Sequence, residues 1–263
     1  MKEVRTTNMR VDYICHSGND MLVVNAARAS FAKDVPLDKP ISPGDIKLLQ
    51  FLARGVDTKE GQRLLGELVD CRDYWDAARL IHRLQNIPTH WAPFGHPHLT
   101  LRITAPFFVR AQLGKHQVGF VMSEVSRRYI TNDPEFFTPE AIRATAANVK
   151  QGSGGVHENN DLFQQNMPIW NGMILEQYKD LLEGGVCPEQ ARMVLTLNTM
   201  TEWVWTGSLY GWARLVIQRM DPHAQKETQD VARHIASFLE TLYPESSKAL
   251  LTTDAWEVCC DAL

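Results

Sequence analysis

The densest polar segment of the chain is Lys115-His116-Gln117, followed by Ser123-Glu124-Val125-Ser126-Arg127-Arg128-Tyr129. If 123–129 is extended, Glu124, Ser126 and Arg128 point to one side at two-residue spacing. An acceptor, a hydroxyl and a guanidinium then converge on one small volume. The plainer alternative is a solvated strand edge with a local ion pair. A second group consists of arginines. Arg192, flanked by Ala191 and by Met193-Val194-Leu195, is expected to be partly buried, and a buried guanidinium requires an anion or hydrogen-bond acceptors. A structural salt bridge would satisfy it equally well. Arg214 and Arg219 follow, and Arg219 stands just before Asp221-Pro222, which has the form of a helix start where free N–H groups and the helix dipole favour anions. Several separate cationic points of this kind suit a phosphorylated small molecule.

Other chemistries find less support. His90, His96 and His98 invite a metal, since histidines at i and i+2 can share a strand face, but no carboxylate or cysteine accompanies them at ligand spacing and Pro93 and Pro97 break the local geometry. No metal is expected. The cysteines (Cys15, Cys71, Cys187, Cys259, Cys260) include no C-x-x-C, so neither a disulfide framework nor a thiolate zinc site fits. No G-x-G-x-x-G, P-loop or G-x-S-x-G occurs.

The elements that must position these residues follow from periodicity and punctuation. Residues 9–16 alternate in the manner of a half-buried strand, Ser17-Gly18-Asn19-Asp20 makes a turn, and a helix runs from Asp20 to about Ser30. Ser42-Pro43 opens a helix through Ala53 that Gly55 closes. Apolar residues at three- and four-residue spacing predict two amphipathic helices over 57–87, hinged near Cys71-Arg72-Asp73. His98 to Thr104 reads as a strand feeding an apolar helix from Ala105 to about Gly114. Residues 151–160 form a flexible loop. Helical patterns follow at 168–184, 188–195 and 208–219, with a strand over Leu197 to Thr206. A last long helix starts at Asp221-Pro222 and ends near Tyr243-Pro244. Trp203, Trp205 and Trp212 are expected in the core. The sum is one α+β domain over 1–263.

Composition bounds the class. The chain has 263 residues, 44% of them hydrophobic and 22% charged, which excludes disorder and fibrous repeats. The net charge of −4 and the absence of any run of five basic residues argue against a non-specific nucleic-acid surface. No apolar run approaches the ~20 residues that span a bilayer, and the amino terminus lacks an apolar signal segment, so a soluble, cytoplasmic protein is expected.

The same residues resemble the flavin-dependent thymidylate synthases. That family's signature is Arg-His-Arg, seven or eight residues, then Ser, in a run like Asn-Glu-x-Ser-x-Arg-Tyr. Here Lys115-His116-Gln117 is followed by eight residues and Ser126, within Ser123 to Tyr129. Ala26-Ala27-Arg28-Ala29-Ser30-Phe31 and His90-Trp91-Ala92-Pro93-Phe94-Gly95-His96 are similar to two earlier family segments. Ala105 to Gln112, Ala191 to Leu195 and Asp221 to Gln225 are similar to three more. Lys115 keeps a charge where the family has arginine, and Gln117 loses one. Ala92, Gly95, Ser123, Ser208 and Tyr210 also depart from the family pattern.

The resemblance implies an antiparallel sheet packed against several helices, with a helical insert at about 57–87. It also implies reductive methylation of dUMP to dTMP, with FAD as cofactor and methylenetetrahydrofolate and NADPH as co-substrates. The assembly it implies is a homotetramer with active sites at subunit interfaces. By position, Gln112, Lys115, Glu124, Val125, Ser126, Arg127, Arg128, Arg192 and Arg219 would bind the nucleotide, with Arg219 acting catalytically by favouring ionisation of the pyrimidine. Ser30, His90, Lys115, His116, Gln117, Glu124, Ser208 and Arg214 would lie on the flavin. Two alternatives stay open: a hydroxymethylating or dCMP-acting enzyme on the same scaffold, and a catalytically silent nucleotide-binding homologue.

Overall fold

A computed structural model describes residues 5–53, 59–85, 90–147 and 152–251. Among these residues lie four strands and ten α-helices: β1 (Arg10–Ser17), α1 (Asp20–Arg28), α2 (Pro43–Ala53), α3 (Lys59–Asp70), α4 (Tyr74–Gln85), β2 (His98–Pro106), α5 (Phe107–Leu113), β3 (Phe120–Glu124), α6 (Asn160–Glu183), α7 (Pro188–Ala191), β4 (Met200–Ser208), α8 (Leu209–Arg219), α9 (Lys226–Leu242) and α10 (Pro244–Leu251). The fold is α+β, with one antiparallel sheet in the order β1-β2-β4-β3. None of the described helices is long and apolar enough to cross a membrane.

The chain divides into two compact units. The first comprises 1–15, 100–206 and 217–235, and the second 16–99, 207–216 and 236–263. In the first unit, period-two alternation builds the sheet. Leu101, Ile103 and Ala105 on β2 and Trp203 and Trp205 on β4 are buried, while Arg102 and Glu202 stand on the other face. Thr100 and Thr206 share a 2.9 Å hydroxyl hydrogen bond, and the Phe107 N–H donates to the Thr199 carbonyl at 3.0 Å. These contacts fix the antiparallel register of β2 on β4, in which a slip of one residue would turn both tryptophans to the polar face.

The second unit holds α1 to α4, most of α8 and the end of the chain. The Ser42 hydroxyl accepts the Asp45 N–H at 3.2 Å, and the Asp45 carboxylate accepts the Ser42 N–H at 2.9 Å, a reciprocal cap that explains why α2 starts at Pro43. Burial alone would raise the Asp45 pKa, yet it is held below the usual carboxylate range by the Ser42 hydroxyl and N–H and by Arg28. Asp20, also buried, accepts the N–H groups of Glu245 and Ser246 at the start of α10, both at 2.9 Å. A negative charge at a helix N-terminus meets its dipole favourably. The Trp212 indole N–H donates to the Leu99 carbonyl at 3.0 Å, so this buried tryptophan is hydrogen-bonded. The helices α3 and α4 pack on one another around the turn at 71–73, as the amphipathic spacing implied. The ends of that segment, and Gly55, lie outside the described residues.

Several boundaries differ from expectation. The helix expected from 168 starts at Asn160 and carries Pro168 inside its 24 residues; one lost ladder bond does not stop a helix whose other turns are intact. The helix expected over 188–195 is two short turns, α7 and a 3₁₀ turn over Arg192–Val194. Residues 197–199 precede β4 rather than opening it. The long helix expected from Asp221-Pro222 is α9, which starts at Lys226 because the Asp221 side chain accepts the His223 N–H at 2.7 Å and closes a turn there instead, and it is followed by the unexpected α10.

Candidate active site

The helix α5 leads into the Lys115-His116-Gln117 segment, and the Gly114 N–H caps its end on the Arg110 carbonyl at 2.8 Å. A Cβ at Gly114 would stand 2.6 Å from the Arg110 Nη1, the movable end of a flexible side chain, and 3.1 Å from the Arg110 carbonyl oxygen, so glycine leaves the guanidinium room where it stands. Arg110 thereby reaches Glu124 at the end of β3, with an Nη2 to carboxylate distance of 2.8 Å. The second Glu124 oxygen accepts the Thr201 hydroxyl at 3.0 Å. Gly119 turns the chain into β3 at a φ of 80°, a conformation that L side chains rarely adopt.

Gln112 sits between two partners. Its side-chain N–H donates to the Gln225 side-chain oxygen, and its own side-chain oxygen accepts the Thr228 hydroxyl at 3.0 Å. Its backbone carbonyl accepts the Arg219 Nη2 at 3.1 Å, and the Arg219 Nε donates to the His116 Nε2 at 2.9 Å. Burial lowers the Arg219 pKa from its ordinary value, which leaves it a cation in a partly desolvated place. Arg219 ends α8 and does not stand at the start of the next helix, so the helix-terminus contribution expected beside it is absent.

The other expected nucleotide residues form a turn rather than a strand. The ladder continues to the Val125 N–H, which donates to the Glu202 carbonyl at 2.9 Å, and the Tyr129 N–H then closes a turn on the Ser126 carbonyl at 3.0 Å. The Arg128 Nε donates to the Ser126 hydroxyl at 3.3 Å, and its guanidinium lies 5.0 Å from the Tyr129 ring centre. Arg127 is buried and donates to the Asn132 carbonyl at 2.8 Å. Arg192, expected to be partly buried, is exposed; the 3₁₀ turn it opens points it outward, with its Nε on the Glu189 carbonyl at 3.2 Å. Lys115 and Gln117 are exposed.

In the second unit, Ser30 is exposed in a 3₁₀ turn, and the His90 ring stacks on Phe51 with centroids 5.5 Å apart. The Ser208 hydroxyl accepts the Gly211 N–H at 3.2 Å and caps α8. Exposed Arg214 donates to the Tyr210 hydroxyl at 3.3 Å, and Tyr210 stacks on Trp91.

Salt bridges mark off one set of arginines from the cations of the expected site. Arg10, Arg28, Arg63, Arg79, Arg102, Arg110, Arg143 and Arg233 each pair with a carboxylate. Lys115, Arg127, Arg128, Arg192, Arg214 and Arg219 have no carboxylate partner among the described residues. A cation left unpaired within a protein of net negative charge is available to an anionic ligand. Sequence reasoning missed Arg110, whose spacing to Glu124 crosses a turn. It also missed a cleft of about 730 Å³ in the first unit, walled by Arg143, Glu227 and Lys226 among others, which contains none of the expected residues.

A family model described as thymidylate synthase complementing protein matches residues 11–245. A flavin-dependent thymidylate synthase of Thermosipho africanus is 33% identical over 165 residues, 62% of this chain and 72% of the relative. One of Thermus thermophilus is 34% identical over 64% of this chain and 61% of its own length, and one of Gluconobacter oxydans is 29% identical over 91% and 68%. Among solved structures, the UMP/dUMP methylase PolB of Streptomyces cacaoi bound with 5-Br dUMP superposes with a TM-score of 0.71 at 23% identity, covering 94% of this chain and 96% of that one. That likeness shows a shared fold.

Proposed function

Because the chain belongs to the thymidylate synthase complementing protein family, we propose that it is a flavin-dependent thymidylate synthase, a methyltransferase that converts dUMP to dTMP. FAD is the cofactor, methylenetetrahydrofolate the carbon donor and NADPH the electron source. The active form is a cytoplasmic homotetramer with sites where subunits meet, and the whole chain serves as one functional domain. The observation that carries the reading is the unpaired set of cations, which includes the cations that the family resemblance puts on the nucleotide.

The protein's own groups divide the work. Arg128 and Arg192, exposed and free of carboxylates, take the phosphate, and Ser126 and Gln112 hold the nucleotide's polar edges. Arg219, desolvated and held by neutral acceptors, stabilises negative charge that develops on the pyrimidine. Glu124, paired with Arg110 and hydrogen-bonded by Thr201, ties the end of β3 to α5 and β4. The flavin, when bound, supplies the reducing equivalents. Lys115 and Arg214 are exposed cations of the kind that a dinucleotide's diphosphate requires, so the donor chemistry suits that cofactor. Ser30, His90, His116, Gln117 and Ser208 complete its proposed contacts.

Incubation with dUMP, methylenetetrahydrofolate, NADPH and FAD, followed by mass spectrometry, tests the reading. The expected product carries one added methyl group. A hydroxymethyl product, or turnover of dCMP alone, would move the protein to another reaction, and a colourless protein that takes up no FAD would end the proposal.

A further inference from the structure

A guanidinium carries five N–H donors in a rigid plane. In Arg219, Nε donates to the His116 Nε2 at 2.9 Å and Nη2 to the Gln112 carbonyl at 3.1 Å. These two donors occupy one edge of the plane. The fork formed by Nη1 and the second Nη2 N–H has no acceptor among the described residues. Both occupied positions are filled by neutral acceptors, and an imidazole that accepts at Nε2 is itself neutral, with its proton on Nδ1.

We infer that His116 is a positioning residue for Arg219: its Nε2 fixes the rotation of the guanidinium so that the free fork is presented to the pyrimidine edge of the nucleotide, to a carbonyl oxygen and, as it ionises, to the adjacent ring nitrogen. This rests on the proposed reading of Arg219 as a nucleotide contact. A single acceptor, the Gln112 carbonyl, would leave the planar group free to swing about its Cδ–Nε bond; two acceptors on one edge remove that freedom, so less ordering is needed when the nucleotide binds. His116 therefore acts on the nucleotide through Arg219, whatever it contributes to flavin binding. Its two neighbours, Lys115 and Gln117, make no such contact.

The test measures dUMP dissociation constants on the flavin-loaded protein for His116→Phe, His116→Gln, Arg219→Ala and the double variant His116→Phe with Arg219→Ala. Glutamine places an amide oxygen near the position of Nε2, and phenylalanine keeps the ring without the acceptor. Loss of dUMP affinity by about fivefold to tenfold in His116→Phe is expected, with recovery to within about twofold in His116→Gln. In the Arg219→Ala background the Phe substitution should change affinity by less than about twofold, because the group it positions is gone. A purely structural role would weaken binding equally in both backgrounds and overturn the inference, as would a Gln variant no better than Phe. If His116→Phe binds dUMP normally while Arg219→Ala does not, the inference fails and the reading of Arg219 stands. Unchanged affinity in Arg219→Ala overturns both. If the Phe variant does not load flavin, His116→Asn, too short to reach Arg219, replaces it under the same criteria.

Discussion

Arg110 and Arg219 are two arginines tied to the same helix by different chemistry. Arg110 reaches from α5 to the Glu124 carboxylate, whereas Arg219 donates to the α5 backbone at Gln112 and to the neutral ring of His116. The first contact cancels two charges and locks β3 to α5. The second holds a cation in place without cancelling it. A structural arginine is finished by its partner, while a functional one is positioned and left with a charge to use. The largest expected effect follows from that difference. Arg219→Ala should lower turnover at saturating dUMP by about 10²–10³-fold, the usual loss when a preorganised donor to a developing charge is removed. Arg219→Lys should not rescue it, since one ammonium cannot hold both acceptors and still present a fork.

Exposed cations should matter less per residue. Arg128→Ala or Arg192→Ala removes a charge-assisted hydrogen bond of roughly 1.5–3 kcal/mol, so dUMP affinity measured by titration should fall at least about tenfold with flavin content retained. Unchanged affinity in Arg128→Ala would reduce the Ser126 to Tyr129 turn to a solvated edge and confine the nucleotide site to the half-buried arginine.

How far the sequence revealed this contrast depended on the range of the contacts. The alternation in β2 and β4, the Ser42-Pro43 cap and the amphipathic helices α3 and α4 were legible because period and capping are local signals. The burial of Trp203, Trp205 and Trp212 followed from the same patterns. Arg192 was misjudged because apolar neighbours in sequence imply burial only if the helix continues, and here it breaks into a 3₁₀ turn. The start of α9 was misplaced because Asp-Pro serves as a turn as readily as a cap. The pairing of Arg110 with Glu124 and of Arg219 with His116, the latter 103 residues apart, had no local signal at all.

The second unit offers a smaller version of the closed arrangement. Arg28 meets the buried Asp45, which also caps α2. Asp45→Asn should cost about 1–2 kcal/mol of unfolding free energy near neutral pH, measured by denaturant titration. The Asp45 pKa is lowered in the folded state, so its stabilisation is present above the unfolded carboxylate pKa of about 3.9 and is lost as pH falls through the folded value. The gap between wild type and Asp45→Asn should therefore close in acid. A gap that persists at low pH would mean that the side chain packs rather than pairs.

The smallest effect is expected at the cysteines, and it bears on whether a positioned charge suffices for the chemistry. Thymidylate synthases that lack flavin attack the pyrimidine with a cysteine thiolate, which requires an activated thiol beside the base. Here Cys15 is exposed on β1, and the Cys71 thiol lies 3.3 Å from the Asp73 carbonyl in the turn between α3 and α4. Cys187 is exposed ahead of α7, a helix of four residues, and the stretch from 72 to 186 that contains Lys115 to Tyr129 has no cysteine. Ser126, the remaining hydroxyl, lies beside the Arg128 guanidinium and has no described imidazole that would take its proton. With no activated nucleophile in this set, the proposed function leaves the chemistry to charge stabilisation by Arg219 and reduction by the flavin. Replacing all five cysteines with serine should accordingly leave turnover within about tenfold, far short of the loss in Arg219→Ala. Abolished turnover in Cys187→Ser alone, in a protein that still binds FAD and dUMP, would show that a thiolate takes part and that positioning a charge is not enough.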